Sequence, residues 1–96
     1  MQRTGRIPTT EASRYLQRLC FHFSKKIAVD YDSSRGLARF PWGDCHLHAD
    51  ADALTFVCEA ESPEDVDRVC HVIDEHVRLF SRRTPMVVAW DDTARR

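Results

Sequence analysis

Cys20, His22, Cys45 and His76 are the side chains whose types and expected placement could do chemistry in this chain. Two thiols and two imidazoles form the soft donor set that zinc, iron or copper accept in roughly tetrahedral geometry. Their spacing is not that of a metal motif. Cys20 and His22 stand about 200° apart around a helix, so both reach one ion only across a helix end. The structural alternative is that each cysteine is a small core hydrophobe and each histidine donates to a carbonyl or carboxylate at the core margin. For nucleophilic catalysis the pairing to test is Cys45 with His22 or His76, since a thiolate needs an imidazole within hydrogen-bonding reach. Nothing supplies an oxyanion hole, and Gly5, Gly36 and Gly43 are isolated rather than gathered in a phosphate loop. Enzymatic chemistry is therefore disfavoured. A redox-sensing thiol at Cys45 stays open as a further reading.

His46-Leu47-His48 offers a second pair. Imidazoles at i and i+2 of an exposed strand lie about 7 Å apart and can jointly chelate a divalent ion. Two ligands without a third make it a weak surface candidate.

The elements that must position these groups follow from periodicity. Ala12, Leu16, Leu19, Cys20 and Phe23 recur at helical spacing, which predicts a helix over about residues 10–25, with Thr9-Thr10-Glu11 as its cap. From Ile27 the period changes to two. Ile27, Val29 and Tyr31 mark a strand, Leu37 to Phe40 a second one, and Ser33 to Gly36 and Pro41-Trp42-Gly43-Asp44 the turns. Cys45, Leu47 and Ala49 then share one face of a strand, and Leu54, Phe56, Cys58 and Ala60 the same face of the next; His46, His48, Thr55 and Val57 fall outside.

Ser62-Pro63-Glu64-Asp65 is a helix start of serine cap, proline and two acids at the positive end of the helix dipole. Val66, Val69, Cys70, Ile73, Val77 and Phe80 form the stripe of this helix, with His76 at its margin; Arg78, Arg82 and Arg83 suit its end, and Pro85 blocks continuation. Met86 to Trp90 reads as a closing strand. The expected fold is α+β, a two-layer sandwich of an antiparallel sheet with two helices on one face, in the order β-α-β-β-β-β-α-β. Val57 and Trp90 are expected on the uncovered face beside His46 and His48, as a candidate interface for a homodimer or a partner protein.

Composition bounds the partners. With 96 residues, the chain supports one domain over residues 1–96. Fourteen basic and 15 acidic residues give a formal net charge of −1, so no strong field for nucleic acid arises. No run approaches the roughly 18 apolar residues of a membrane span, and no leader-like apolar core stands near the start, so a cytoplasmic location is expected. A reducing compartment keeps the four cysteines as thiols, and their intervals match no CxxC framework.

Several motifs fall in order along the chain: Ala12-Ser13-Arg14-Tyr15-Leu16, Leu19-Cys20-x-His22-Phe23-x-x-Lys26, Gly43-x-Cys45-x-Leu47, then His76, Arg78 and Phe80, and a closing Trp90. Over about residues 3–90 this pattern resembles the bacterial DUF2218 family. The family often carries another histidine near the position of Lys25, which this chain lacks. The resemblance implies a small cytoplasmic protein, found alone or joined to flavin-dependent siderophore-interacting reductases and often encoded near iron-uptake functions. It makes iron or siderophore handling the functional expectation, with a transition metal (iron or zinc) as the cofactor to look for and Cys20, His22, Cys45 and His76 as the residues to test. The competing expectation is an interaction module that docks a reductase or a second copy of itself.

Overall fold

Alternating apolar and polar residues make strands with one buried face, and two amphipathic helices supply the cover. The computed structural model describes residues 1–81 and 86–91. The elements are β1 (Gln2–Pro8), α1 (Ala12–Phe23), β2 (Ala28–Tyr31), β3 (Arg35–Phe40), β4 (Gly43–Ala49), β5 (Ala53–Glu59), α2 (Pro63–Phe80) and β6 (Ala89–Asp91), which is the expected order. The strands form one antiparallel sheet in the spatial order β2-β3-β4-β5-β1-β6. The first strand is thus inserted beside β5, while β2 to β5 run as a meander.

Register decides which side chains the helices cover. Ala38, Cys45 and Cys58 stand opposite one another across β3, β4 and β5, as do Gly36, Leu47, Phe56 and Gly5 across β3, β4, β5 and β1. Helix α1 lies over β2 and β3 and reaches β4 and β5; α2 lies over β4, β5 and β1, and the helices touch each other. From α1, Ala12, Leu16, Leu19, Cys20 and Phe23 are buried; from α2, Val66, Val69, Cys70, Ile73 and Val77. Fully buried Phe56, Leu16, Leu19, Leu54 and Ile73 dominate the core, each contributing about 1.5–3 kcal/mol through removal from water.

Local starts and stops differ in part from expectation. Ser62 caps α2 as its sequence dictates, accepting from the Asp65 N–H at 3.2 Å. At α1, however, Glu11 is the N-cap and makes no side-chain cap; its carboxylate accepts from Arg14 at 2.9 Å, and the Thr9 hydroxyl accepts the Glu11 N–H at 3.0 Å just before the helix. Gly36 belongs to β3 rather than to the turn before it. The Cys20 sulfur is the reason a glycine suits that position: a Cβ there would lie 2.7 Å from Sγ.

The closing strand is shorter than Met86 to Trp90. Buried Ser81 donates to the Val77 carbonyl and accepts the Met86 N–H at 3.1 Å, which diverts that backbone from the ladder. Only Ala89, Trp90 and Asp91 pair, with Arg6, Gly5 and Thr4 of β1. Arg82, Arg83 and Pro85 lie outside the described residues.

Candidate functional site

His22 sits in the last turn of α1 and His76 in the C-terminal half of α2, three positions after Leu19 and Ile73 respectively. That spacing puts each imidazole on the flank of a buried stripe. Because both helices cover the same sheet face, the flanks meet: the ring centroids are 4.9 Å apart with planes tilted by 57°. His76 also packs edge-on against Phe23 at 4.9 Å, and His22 against Phe80 at 5.6 Å. The Nδ1 of His76 donates to the Val72 carbonyl at 2.8 Å, so in the neutral ring Nε2 keeps its lone pair. For His22, burial first, and then the charges of His76, Lys25 and Lys26, hold the pKa below its ordinary range. A neutral imidazole is the favoured form there at pH 7.

These rings border a cavity of about 360 Å³. Phe23 and Val72 come from the helices, Lys26 and Ile27 from the α1–β2 connection, and Phe40, Pro41 and Trp42 from the end of β3 and the turn after it. Phe40 stacks on Trp42 with planes 6° apart, and Phe23 meets Phe40 edge-on at 5.3 Å. Arg68 lies over the Trp42 ring and Arg18 over the Phe80 ring, at 5.8 and 5.2 Å. Among the described residues that line the cavity there is one lysine, a pair of imidazoles and no carboxylate. A wider and more open depression of about 860 Å³ shares Phe40, Pro41 and Trp42 with this cavity and extends against Met1, Asp44, Glu59 and Glu61. Its described lining holds no imidazole or thiol, so the smaller cavity is the candidate site.

The expected four-residue cluster does not assemble. Cys20 is fully buried and faces the sheet at Gly36, and burial pushes its thiol up to about 12. Cys45 is fully buried in another part of the core, where the Cys58 thiol donates to its sulfur at 3.8 Å. Hydrogen bonding to Cys45 raises the Cys58 pKa, and hydrogen bonding to Cys58 together with burial raises that of Cys70. The helical offset between Cys20 and His22 separates them as the geometry of a helix requires. Among the described residues no group of three or more His, Cys, Asp or Glu side chains gathers where it could hold a metal ion. The donor set at the site therefore does not fit a resident iron or zinc centre. All four cysteines are free and buried, which removes Cys45 as a reactive surface thiol.

On the uncovered face, His46 and His48 project to solvent as expected, and the His46 ring meets Glu59 at 3.2 Å. Leu37, His46, Val57 and Thr4 form one row across that face, with Leu37 and Val57 half-buried. Trp90 is not among them. It pairs with Gly5, whose other neighbour is Phe56, and so lies on the helix side, 6.2 Å from the Phe56 ring with its indole N–H donating to Asp74 at 2.9 Å. The expectation that Val57 and Trp90 share an interface is corrected accordingly: strand pairing with β1 fixes the parity of β6, and a lone three-residue strand carries too little alternation to reveal it.

Phe40 and Trp42 are site residues that the sequence reading places only in a strand and a turn, and Lys26 one that it names only within the family motif. A trace of them was present in two aromatics flanking a proline in a short turn. Their convergence on the histidines depends on how β3 runs beneath the end of α1.

No helix among the described residues is long and apolar enough to cross a membrane. A comparison with curated proteins gives no match. Among solved structures, the NMR structure of PA4090 from Pseudomonas aeruginosa is similar, with a TM-score of 0.79, 24% sequence identity and 95% of each chain covered, which shows a shared fold. The family model described as an uncharacterized protein conserved in bacteria (DUF2218) matches residues 4–91, and the chain belongs to that family.

Proposed function

We propose that this chain is a non-catalytic binding protein of iron or siderophore handling that holds a small-molecule ligand in the cavity beside His22 and His76. The observation that carries the reading is convergence: imidazoles, a lysine and a stacked Phe40–Trp42 pair from three separate stretches of chain border one concave, largely apolar space. Ligand sites have this composition, a mostly apolar lining with a few directed polar groups. Iron enters as cargo within a chelate rather than as a resident cofactor, because the described residues bring only two donor imidazoles to the cavity. The iron context itself is carried over from the company its family keeps.

The test is titration of the purified chain with a ferric siderophore, with haem and with ferric or zinc salts alone, followed by tryptophan fluorescence and thermal melting. A ligand at 100 times its Kd stabilises the fold by about 2.7 kcal/mol, a readily measured rise in melting temperature. His76→Ala should abolish the shift. No bound metal and no ligand-dependent shift would end the proposal.

A second reading, docking of a reductase or a second copy on the uncovered sheet face, is favoured by the half-buried Leu37 and Val57 in one row. It is the weaker of the two, since Trp90 contributes nothing to that face. Val57→Asp should then alter the oligomeric state or partner binding measured by light scattering.

A further inference from the structure

We infer that the ligand of the His22–His76 cavity is an anionic aromatic molecule of one or two rings, an aryl carboxylate bearing a hydroxyl beside the acid group. The inference rests on the reading of this cavity as a ligand site and names what that site selects.

Shape comes first. The stacked Phe40 and Trp42 rings and the edge of Phe23 make a flat-walled slot, the geometry against which another aromatic ring packs. An apolar cavity of roughly 150 Å³ accepts benzene, so the volume of about 360 Å³ leaves room for polar substituents or a second ring.

Charge is the second argument. Lys26 is the one formally charged side chain among the described lining residues, no carboxylate is there to neutralise it, and its field and that of Lys25 already act on the nearby His22 ring. Arg68 over the outer aromatic wall and Arg18 over Phe80 add potential of the same sign. A cleft with low-dielectric walls concentrates such a field and draws in anions. A cationic aromatic finds no carboxylate partner among the described lining residues.

Direction is the third. With its Nδ1 held by the Val72 carbonyl, His76 offers Nε2 as an acceptor, which a carboxylate cannot use but a phenolic O–H can. A hydroxyl adjacent to the carboxylate, turned out of its internal bond to the acid group, donates to His76 Nε2 while the carboxylate faces Lys26.

Salicylate, its neutral analogue salicylamide, benzoate and the cation benzylamine are the probes, titrated against the full chain by calorimetry, with the tryptophan and histidine NMR signals as location markers. Expected results are salicylate tightest, benzoate weaker, salicylamide at least tenfold weaker than salicylate, and no benzylamine binding, with shifts concentrated at Trp42, His22 and His76. Lys26 is exposed, so Lys26→Gln should fold normally, lose about tenfold in salicylate affinity and leave salicylamide unchanged; Lys26→Arg should restore salicylate binding. Equal affinities for salicylate and salicylamide, or an indifferent Lys26→Gln, would overturn the anion inference while leaving the cavity as a ligand site. Failure of all four probes to move any Trp42, His22 or His76 signal would overturn the inference about the ligand, while the siderophore and haem titration decides separately whether the cavity is a ligand site.

Discussion

The rings of His22 and His76 meet at 4.9 Å between centroids, joining the last turn of α1 to the C-terminal half of α2. The charge of His76 disfavours the protonated form of His22 at that separation. The contact therefore couples the helix pair, the wall of the cavity and the protonation of His22.

A pH dependence follows. The folded pKa of His22 is held below the ordinary imidazole value of 6.5, mainly by burial and further by His76, Lys25 and Lys26. As pH falls the unfolded chain takes up this proton first, so the contribution of the neutral ring is complete above about 6.5 and erodes as pH drops through that value toward the folded pKa. Melting temperature should decline across this interval, and His22→Gln should flatten the decline. Asp32 and Asp50 act in a separate, more acidic window. Backbone N–H groups, led by those of Ser34 and Asp52, lower their pKa values below 3.8, so their stabilisation is lost only as pH falls through that region.

Gly5→Ala should destabilise the fold. A Cβ on Gly5 would lie 2.5 Å from the Val88 side chain and 2.6 Å from the Trp90 ring, both of which rest on the bare glycine backbone. Overpacking of a core of this kind costs about 1–3 kcal/mol. Urea unfolding followed by far-UV circular dichroism measures it, and a cost below a few tenths of a kcal/mol would contradict the packing of β6 on β1.

Asp74→Ala tests the placement of Trp90 on the helix side. The indole N–H donates to Asp74 at 2.9 Å and ties β6 to α2. Hydrogen bonds to a charged acceptor contribute about 1.5–3 kcal/mol, toward the lower end here because Trp90 is only partly buried. A stability loss of about 1–2 kcal/mol together with a red-shifted tryptophan emission is expected. An unchanged spectrum would place Trp90 elsewhere.

Thiol labelling should be slow and ordered. Cys20, Cys45 and Cys58 are 0% exposed and Cys70 is 4% exposed, and raised pKa values keep Cys20, Cys58 and Cys70 as thiols. A small disulfide reagent at pH 8 should react with the native protein only as fast as it opens, with Cys70 first, and with all four at once in denaturant. One cysteine labelled within seconds in the native state would revive a reactive-thiol function.

Much of the architecture was legible in local patterns. The period of two over Cys45 to Ala49 and Leu54 to Cys58 told which residues face the helices, and Ser62-Pro63 marked the start of α2, because faces and caps are set by bonds within one strand or one turn. The positions of His22 and His76 on the flanks of their stripes were readable for the same reason. Their meeting was a matter of how two helices lie on one sheet.

Tertiary structure alone decided the rest. The insertion of β1 between β5 and β6 turned Trp90 from the uncovered face to the core, and the opposite facing of Cys20 and His22 on one helix dissolved the expected thiol and imidazole cluster into a core position and a rim position. Burial then made the sulfurs inert, while the path of β3 under the end of α1 brought Phe40 and Trp42 to the histidines. Residue types and their period along the chain are local quantities. Which stripes and edges come together depends on long-range strand pairing and packing, and no short window of sequence holds that information.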